Sequence, residues 1–479
     1  MSHFDPDTLN SRFQQRLIDA IEDPQVRSNF RGAMTFLREK RAAQFDPSDF
    51  TQLQARAQAI RNRCLSKLPE LLEHLESRCQ ANGIQVHWAQ TGDAANRIIR
   101  DIIEAEGGRK VVKGKSMATE ETGLNAALEA AGMDCVETDM GEYIVQLARE
   151  TPSHIIMPAI HKNTDQIARL FHEQLGTPLT HDVDTLIGVG RATLRQKFEE
   201  ADIGISGVNF PVAETGTLCL VENEGNGRMS TTVPRVHIAL CGIEKVVEYL
   251  SDVPPLLHML TRSATGQSIT TYFNMISGPR KPGELDGPEQ VHLVLLDNGR
   301  SRIYADPQLR QTLRCIRCGA CMNHCPVYER VGGHAYGAPY PGPIGQVVAP
   351  QIWGLDKAGK LTQACSMNGA CKEACPVGIP LPTLIRRLRR EGVNHEGGPP
   401  LPGRGSLRTP AEAALWKVWA WLNAHPSLYR LFLSLATRLR GLSPRKLGGW
   451  TRYRAPVKPA PQSLHAALRS RRRAANDRS

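Results

Sequence analysis

No stretch of the sequence approaches the roughly 18 consecutive apolar residues that a membrane-crossing helix needs. Its start, MSHFDPDTLN, lacks the basic-then-apolar layout of a signal peptide. Both absences make a cytoplasmic protein the expectation. Acidic residues are scarce at one end only: residues 401–479 hold 2 Asp+Glu against 16 Lys+Arg, which leaves 46 against 43 in residues 1–400. The body is therefore near neutral, at −3, and the tail carries +14, so the formal net charge of +11 describes neither part. Nucleotide fingerprints are missing too. KVVKGKSMATEETG invites a P-loop reading, but the glycine required five residues before the Gly of GKS is Arg109. GVGRAT, from Gly188, lacks the third small residue of the dinucleotide motif, which excludes NAD on this signal.

What is present is a globular composition, 41 % hydrophobic and 22 % charged over 479 residues, enough for about two to four domains. Residues 1–60 place Phe13, Leu17, Ile18 and Ile21 at helical spacing and predict an N-terminal helical layer. From 61 to 305, helix-like stretches (Ala94 to Glu106, Gly123 to Ala131, Thr164 to Leu175) alternate with short apolar runs, HIIMPAI, TLCLV, VHIAL and VHLVLL. That alternation predicts an α/β domain with a largely parallel sheet. Residues 306–390 are rich in Cys, Gly and Pro and poor in either periodicity. Residues 391–479 open with the linker HEGGPPLPGRGS, continue in a helical segment from Ala411 to Leu439, and end in a Pro- and Arg-rich stretch expected to be disordered.

Twelve cysteines in a cytosolic chain of this length favour metal or redox chemistry over disulfides. Five are scattered through the first half, and Cys219 and Cys241 there read as core residues of apolar strands. The other seven crowd together. CIRCGACMNHCP sets Cys315, Cys318 and Cys321 at two-residue gaps with Cys325 three further on and Pro326 after it, the bacterial ferredoxin run for a [4Fe–4S] cluster. Structural zinc usually takes two separated CxxC pairs instead. CSMNGACKEACP repeats the run with one change: Cys365, Asn368, Cys371, Cys375 and Pro376, with Asn368 where the second cysteine belongs. In two-cluster ferredoxins the fourth cysteine of each run ligates the other run's cluster. That rule assigns Cys315, Cys318, Cys321 and Cys375 to cluster 1, and Cys325, Cys365 and Cys371 to cluster 2. Cluster 2, with three thiolates, fits a [3Fe–4S] centre, a [4Fe–4S] centre with an open or non-cysteine iron, or a cube completed by a distant residue. His324, beside Cys325, is placed to tune a potential by hydrogen bonding near sulfur. His334, in the loop GGHAYGAPYPGPIG, reads as structural or as a proton donor or ligand.

In the α/β half, Lys113, Lys115 and a helix capped by Ser116 make either an anion site or an ordinary solvated lysine pair. In NFPVAETGTLCLVENEGNGRM, Glu214 reads as a general base or ligand-contacting acid, or as part of a hairpin with polar turn residues. Lys113, Lys115 and Glu214 are the catalytic candidates.

KSMATEETGLNAALEAAGMDCVETDMGEYIVQLARETPSHIIMPAIHKN, NFPVAETGTLCLVENEGN with TTVPRVHIALCGIEK, and CIRCGACMNHCPVY with GGHAYG and YPGPIG closely resemble the lactate utilization protein B family of bacterial iron–sulfur proteins. The resemblance runs from about residue 60 to 390, with the tail in the expected place. It implies an α/β LUD domain of the NagB/RpiA/CoA-transferase-like fold, followed by an α-helical ferredoxin-like two-cluster domain and a basic C-terminal tail. It further implies a complex with lactate utilization proteins A and C that oxidises L-lactate to pyruvate and passes electrons to an acceptor the sequence does not name. Two one-electron centres suit that two-electron oxidation. Alternatives are a complex oxidising another small 2-hydroxy acid, or an α/β half that itself binds lactate or another small carboxylate near Lys113, Lys115 and Glu214; two further rivals use the tail. Its charge alone would give salt-sensitive nucleic-acid binding, though no base-reading motif accompanies it. Leu415, Trp416, Trp419, Leu422, Leu428, Leu431, Phe432 and Leu435 would instead grip a partner or lie peripherally on the inner face of the membrane.

Overall fold

A computed structural model describes residues 4–394, 401, 407–443, 446, 451, 453–456 and 458–476. The chain forms two units, Met1–Leu407 and Arg408–Ser479.

The first unit opens with the helices Phe13–Glu22, Pro24–Ala42, Pro47–Ser66 and Leu68–Ala81. Asp23 and Asp46 start the second and third, each accepting a backbone N–H ahead of a proline that needs no partner for its own nitrogen. Six parallel strands follow: β1 (Ile84–Ala89), β2 (Lys110–Lys113), β3 (Asp134–Glu137), β4 (Ile203–Gly207), β7 (Val236–Gly242) and β9 (Gln290–Leu296), in the order β1-β9-β7-β4-β2-β3. β5 (Phe210–Val212), β6 (Thr217–Glu222) and β8 (Tyr272–Ile276) make a separate antiparallel sheet. All seven residues of β7 are buried, as expected for a central parallel strand covered on both faces. The runs VHIAL and VHLVLL thus lie in β7 and β9, while TLCLV lies in the small sheet. Cys219 and Cys241 are fully buried.

HIIMPAI is a correction: it is a loop. Pro158 cannot donate to a sheet ladder. His154 is buried, and its Nδ1 accepts the N–H groups of Ile156 and Met157 (3.0 and 3.2 Å), satisfying the backbone locally.

The cysteine segment shares the hydrophobic core of the N-terminal helices. Arginines carry the polar side of that packing. Buried Arg61 donates to the carbonyls of Val246 (3.0 Å), Leu313 (3.0 Å) and Glu244, and Arg38 donates to Asn323 (3.1 Å). Helix Gly342–Trp353, buried on nearly every side, shows why this region has no amphipathic period.

The second unit holds the helices Pro410–Ala424 and Pro426–Arg438. The segment expected as one helix is thus two, broken where Pro426 removes an N–H and disfavours helical backbone at His425. The disorder expected of the basic end is also corrected: Leu464–Asn476 is helical, with Ser463 Oγ accepting the Ala466 N–H at 3.3 Å and four alanines within it favouring helix. Residues 395–400 and 402–406 of the expected linker, and the last three of the chain, fall outside the described residues. No helix among those described is long and apolar enough to cross a membrane.

Candidate metal centre and adjoining cavity

The two cysteine runs repeat in backbone as well as in letters. Each position of the second lies fifty residues after its counterpart, Cys315 to Cys365 through Cys325 to Cys375. Arg317 and Met367 take the same left-handed conformation (φ 61° and 60°), as do Gly319 and Gly369 (76° and 92°). That turn aims the N–H of Arg317 at Cys315 Sγ (3.4 Å) and that of Met367 at Cys365 Sγ (3.3 Å). Short helices, Ala320–Asn323 and Ala370–Glu373, carry Cys321 and Cys371. Asn368 occupies the place of Cys318, and it is exposed.

The thiols gather in two sets. Cys321 feels Cys315, Cys318 and Cys375, and Cys375 in turn feels Cys315. Cys371 feels Cys325 and Cys365. Each run therefore lends its fourth cysteine to the other's set, and Cys321, which also feels Cys371, is where the sets adjoin. Burial, with the mutual repulsion of the sulfurs, pushes Cys371 up to about 12 and Cys321 well above an ordinary thiol. Burial likewise pushes Cys375 up to about 11. Thiols so buried ionise only against strong positive charge, which a bound metal centre supplies. A soft, closely grouped sulfur set of this kind fits iron–sulfur clusters. Arginines surround the first set: Arg41 faces Cys318 and Cys375, Arg314 faces Cys375, and Arg61 faces Cys315. His324 gives its Nδ1 to the Ala320 carbonyl (2.9 Å), and His334 gives Nε2 to the Thr151 carbonyl (2.6 Å).

A cavity of about 340 Å³ lies against this segment, lined by Arg317 from the first run and by the residues that follow β2, β3, β4 and β7. Of the three catalytic candidates only Lys115 lines it, with Nζ on the Ile156 carbonyl (2.9 Å) and 3.9 Å from Glu142. Lys113 is wholly buried beneath, paired to Glu137 at 2.7 Å and donating to Thr119 Oγ1 at 3.0 Å. Burial would lower its pKa, but Glu137 and Glu120 outweigh it and raise it. Lys113 thereby pairs with the carboxylates of Glu137 and Glu120, which cluster with that of Glu142, and offsets one of their charges. Glu214 sits exposed in the β5–β6 hairpin, where it accepts the Leu250 N–H at 2.9 Å, and is not brought to the cavity.

Three cavity residues escaped the sequence reading: Glu224, Lys245 and Arg317. The available signal for Lys245 was its place three residues past a wholly buried strand, at the carboxyl edge of a parallel sheet where ligands bind. A wider cleft, about 860 Å³, includes Glu150, His161, Lys162 and His334, where Glu150 accepts from His161 (2.7 Å) and Lys162 (2.8 Å).

Three family models match the chain: the LUD domain over residues 72–296, a 4Fe-4S dicluster domain over 311–379, and the lactate utilisation protein B C-terminal family over 387–473. The chain is 44 % identical over 427 residues to an uncharacterized electron transport protein, YkgF, of Escherichia coli K12, covering 88 % of this chain and 87 % of that one. It is 43 % identical over 398 residues to lactate utilization protein B of Bacillus subtilis 168, covering 83 % of each. Among solved structures, a DUF162 family protein of Deinococcus radiodurans matches 48 % of this chain and 98 % of its own, with 16 % identity and a TM-score of 0.28.

Proposed function

Because the chain belongs to the lactate utilization protein B family, we propose that it is the iron–sulfur electron-transfer subunit of a complex, with lactate utilization proteins A and C, that oxidises L-lactate to pyruvate. The observation that carries this reading is the interleaving of the two cysteine runs, which makes one four-sulfur and one three-sulfur set adjoining at Cys321 and Cys371. Cys315, Cys318, Cys321 and Cys375 would hold a [4Fe–4S] cluster, and Cys325, Cys365 and Cys371 a second cluster. Bound clusters supply one-electron acceptance and release. Conversion of L-lactate to pyruvate yields two electrons and two protons, so two adjoining centres match its stoichiometry. The chain's own side chains shape that capacity. Arg41, Arg61 and Arg314 offset negative charge at the first set, and the apolar core packs against both sets, while the loop Ser366–Asn368 of the second faces solvent. The exposed Asn368 leaves the second set with three sulfurs, which suits a [3Fe–4S] centre.

The test is iron and acid-labile sulfide per chain in anaerobically purified protein, with paramagnetic resonance before and after adding L-lactate to the three-protein complex. The expected result is about seven irons and an oxidised [3Fe–4S] signal that lactate bleaches. About eight irons with two interacting reduced signals would complete the second cube and keep the relay. Zinc in place of iron, or centres that lactate leaves oxidised in an otherwise intact complex, would overturn it.

A further inference from the structure

We propose that the cavity of about 340 Å³ at the carboxyl ends of β2, β4 and β7 binds the carboxylate substrate itself, a 2-hydroxy or 2-oxo monocarboxylate of a few carbons, with Lys245 and Arg317 taking the carboxylate and Glu224 facing the 2-oxygen. The inference rests on the function proposed above and gives its electron donor a location.

Topology comes first. β3 lies on one side of β2, while β4, β7, β9 and β1 extend on the other, so the strand order reverses between β2 and β4. Ligands of open parallel sheets bind at that reversal, beyond the carboxyl ends of the strands. The cavity lies there: Gly114 follows β2, Gly207 ends β4, and the Gly114 N–H on the Ile205 carbonyl at 2.9 Å ties the start of the first loop to β4. A Cβ on Gly207 would meet Ser116 Oγ at 2.8 Å, so a bare backbone is needed at that edge.

Charge comes second. Lys245 Nζ bonds the Val208 carbonyl at 2.7 Å and makes no ion pair among the described residues. Arg317 spends Nη2 on Glu244 (3.2 Å), while its buried Nη1 has no hydrogen-bond partner among the described residues. Two cationic groups on one wall with unused donors are what a carboxylate requires. Glu222, by contrast, is consumed by the N–H groups of Gly227 (2.5 Å) and Arg228 (2.8 Å) and by Asn274 (2.9 Å). Glu224 is exposed to solvent at the cavity and uses one oxygen on the Met140 N–H (3.0 Å); partial desolvation and then Asp139 raise its pKa, so it can share a proton with a substrate oxygen. Leu260 and Ala264 supply an apolar wall for a short alkyl group. Distance to the metal centre comes third: Lys245 and Asn209 line both this cavity and a small void bounded by Cys315.

The test uses the anaerobically purified full chain with its clusters, titrated calorimetrically with pyruvate, L-lactate and inorganic phosphate. Pyruvate and L-lactate should bind and phosphate should not displace them. Lys245→Met should weaken pyruvate about tenfold or more, the size of a lost charge-assisted hydrogen bond, and Lys245→Arg should restore most of it, both with unchanged cluster spectra. Ala264→Leu, which narrows the cavity from its apolar wall, should weaken pyruvate independently of charge. A cluster-loaded wild-type chain that binds neither acid overturns the inference, as does a Lys245→Met variant that binds like wild type or competition by phosphate on equal terms. The function proposed above stands or falls separately, on whether L-lactate reduces the centres in the complex.

Discussion

Arg41 sits where a single charge has most leverage on electron flow. Its guanidinium faces Cys318 and Cys375 of the four-sulfur set, and burial already lowers its pKa without removing the charge. A buried cation beside a cluster favours the reduced, more negative state, because low local dielectric strengthens the interaction. Arg41→Gln is therefore expected to lower the midpoint potential of the first centre and leave the second nearly unchanged, in a redox titration followed by paramagnetic resonance. Equal shifts of both centres would refute that selectivity. A second buried charge site binds the sheet to the cysteine segment. Arg300 is held by Glu121 (2.8 Å) and Glu244 (2.5 Å), Glu121 also accepts from the Tyr340 hydroxyl (2.7 Å), and Glu244 accepts from Arg317 (3.2 Å). Burial alone would raise the Glu244 carboxyl, but Arg300 and then Arg317 bring it down to about 2. A carboxylate depressed in the folded state contributes stability in full above its unfolded pKa, about 4.3, and loses it as pH falls through the folded value. The wild-type chain should lose stability between about pH 4.3 and about 2, and Glu244→Gln should be destabilised by about 3–5 kcal/mol at neutral pH with a flatter acid limb. Acid titrations of both chains by far-ultraviolet circular dichroism check the difference.

At the scale of the element, the repeated cysteine loop makes a sharp forecast. Because Met367 and Gly369 reproduce the backbone of Arg317 and Gly319, a cysteine at 368 would inherit the placement of Cys318 without strain. Asn368→Cys should raise iron by about one per chain and replace an oxidised [3Fe–4S] signal by that of a second cube. Unchanged iron and an unchanged signal would mean that the fourth position is already filled from elsewhere. The same elements show what is legible in letters and what is not. β7 and β9 were readable because burial on both faces leaves apolar runs interrupted only by the buried His237 and His292, and the helix Thr164–Leu175 because one buried face imposes a 3.6-residue period. The cysteine grouping was readable because spacing alone brings the sulfurs together. HIIMPAI was misread because a loop buried against the cysteine segment, with His154 on Asn323 Oδ1 at 3.0 Å, is as apolar as a strand. Lys245 and Glu224 were invisible as a pair, since residues far apart in sequence meet only where β7 and the segment after β6 end at one edge of the fold.

For the whole molecule, the chain divides into Met1–Leu407 and Arg408–Ser479. Every cysteine and the substrate cavity belong to the first unit. The second has no buried residue in its helices Pro410–Ala424 and Pro426–Arg438, yet Leu415, Trp416, Val418, Trp419 and Trp421 are exposed. Those five positions cover an arc of about 220° of the first helix, with Lys417 on the remaining face. A helix lying on a bilayer buries its apolar side chains on one face, whereas an apolar arc wider than half the circumference is better covered in a groove between partner helices. The neighbouring helix covers part of it, with Trp419 against Phe432 at 6.0 Å, and leaves Trp416 and Trp421 half exposed. This favours capture by lactate utilization protein A or C over attachment to the membrane. A chain ending at Leu407 is accordingly expected to keep its iron and its affinity for pyruvate but to lose co-purification with the A and C proteins. The full chain alone should not sediment with vesicles containing phosphatidylglycerol at physiological salt, where a purely electrostatic hold by the basic tail is screened. Retained assembly in the shortened chain would place the partner surface on the first unit, and vesicle binding that persists in salt would assign the exposed tryptophans to lipid.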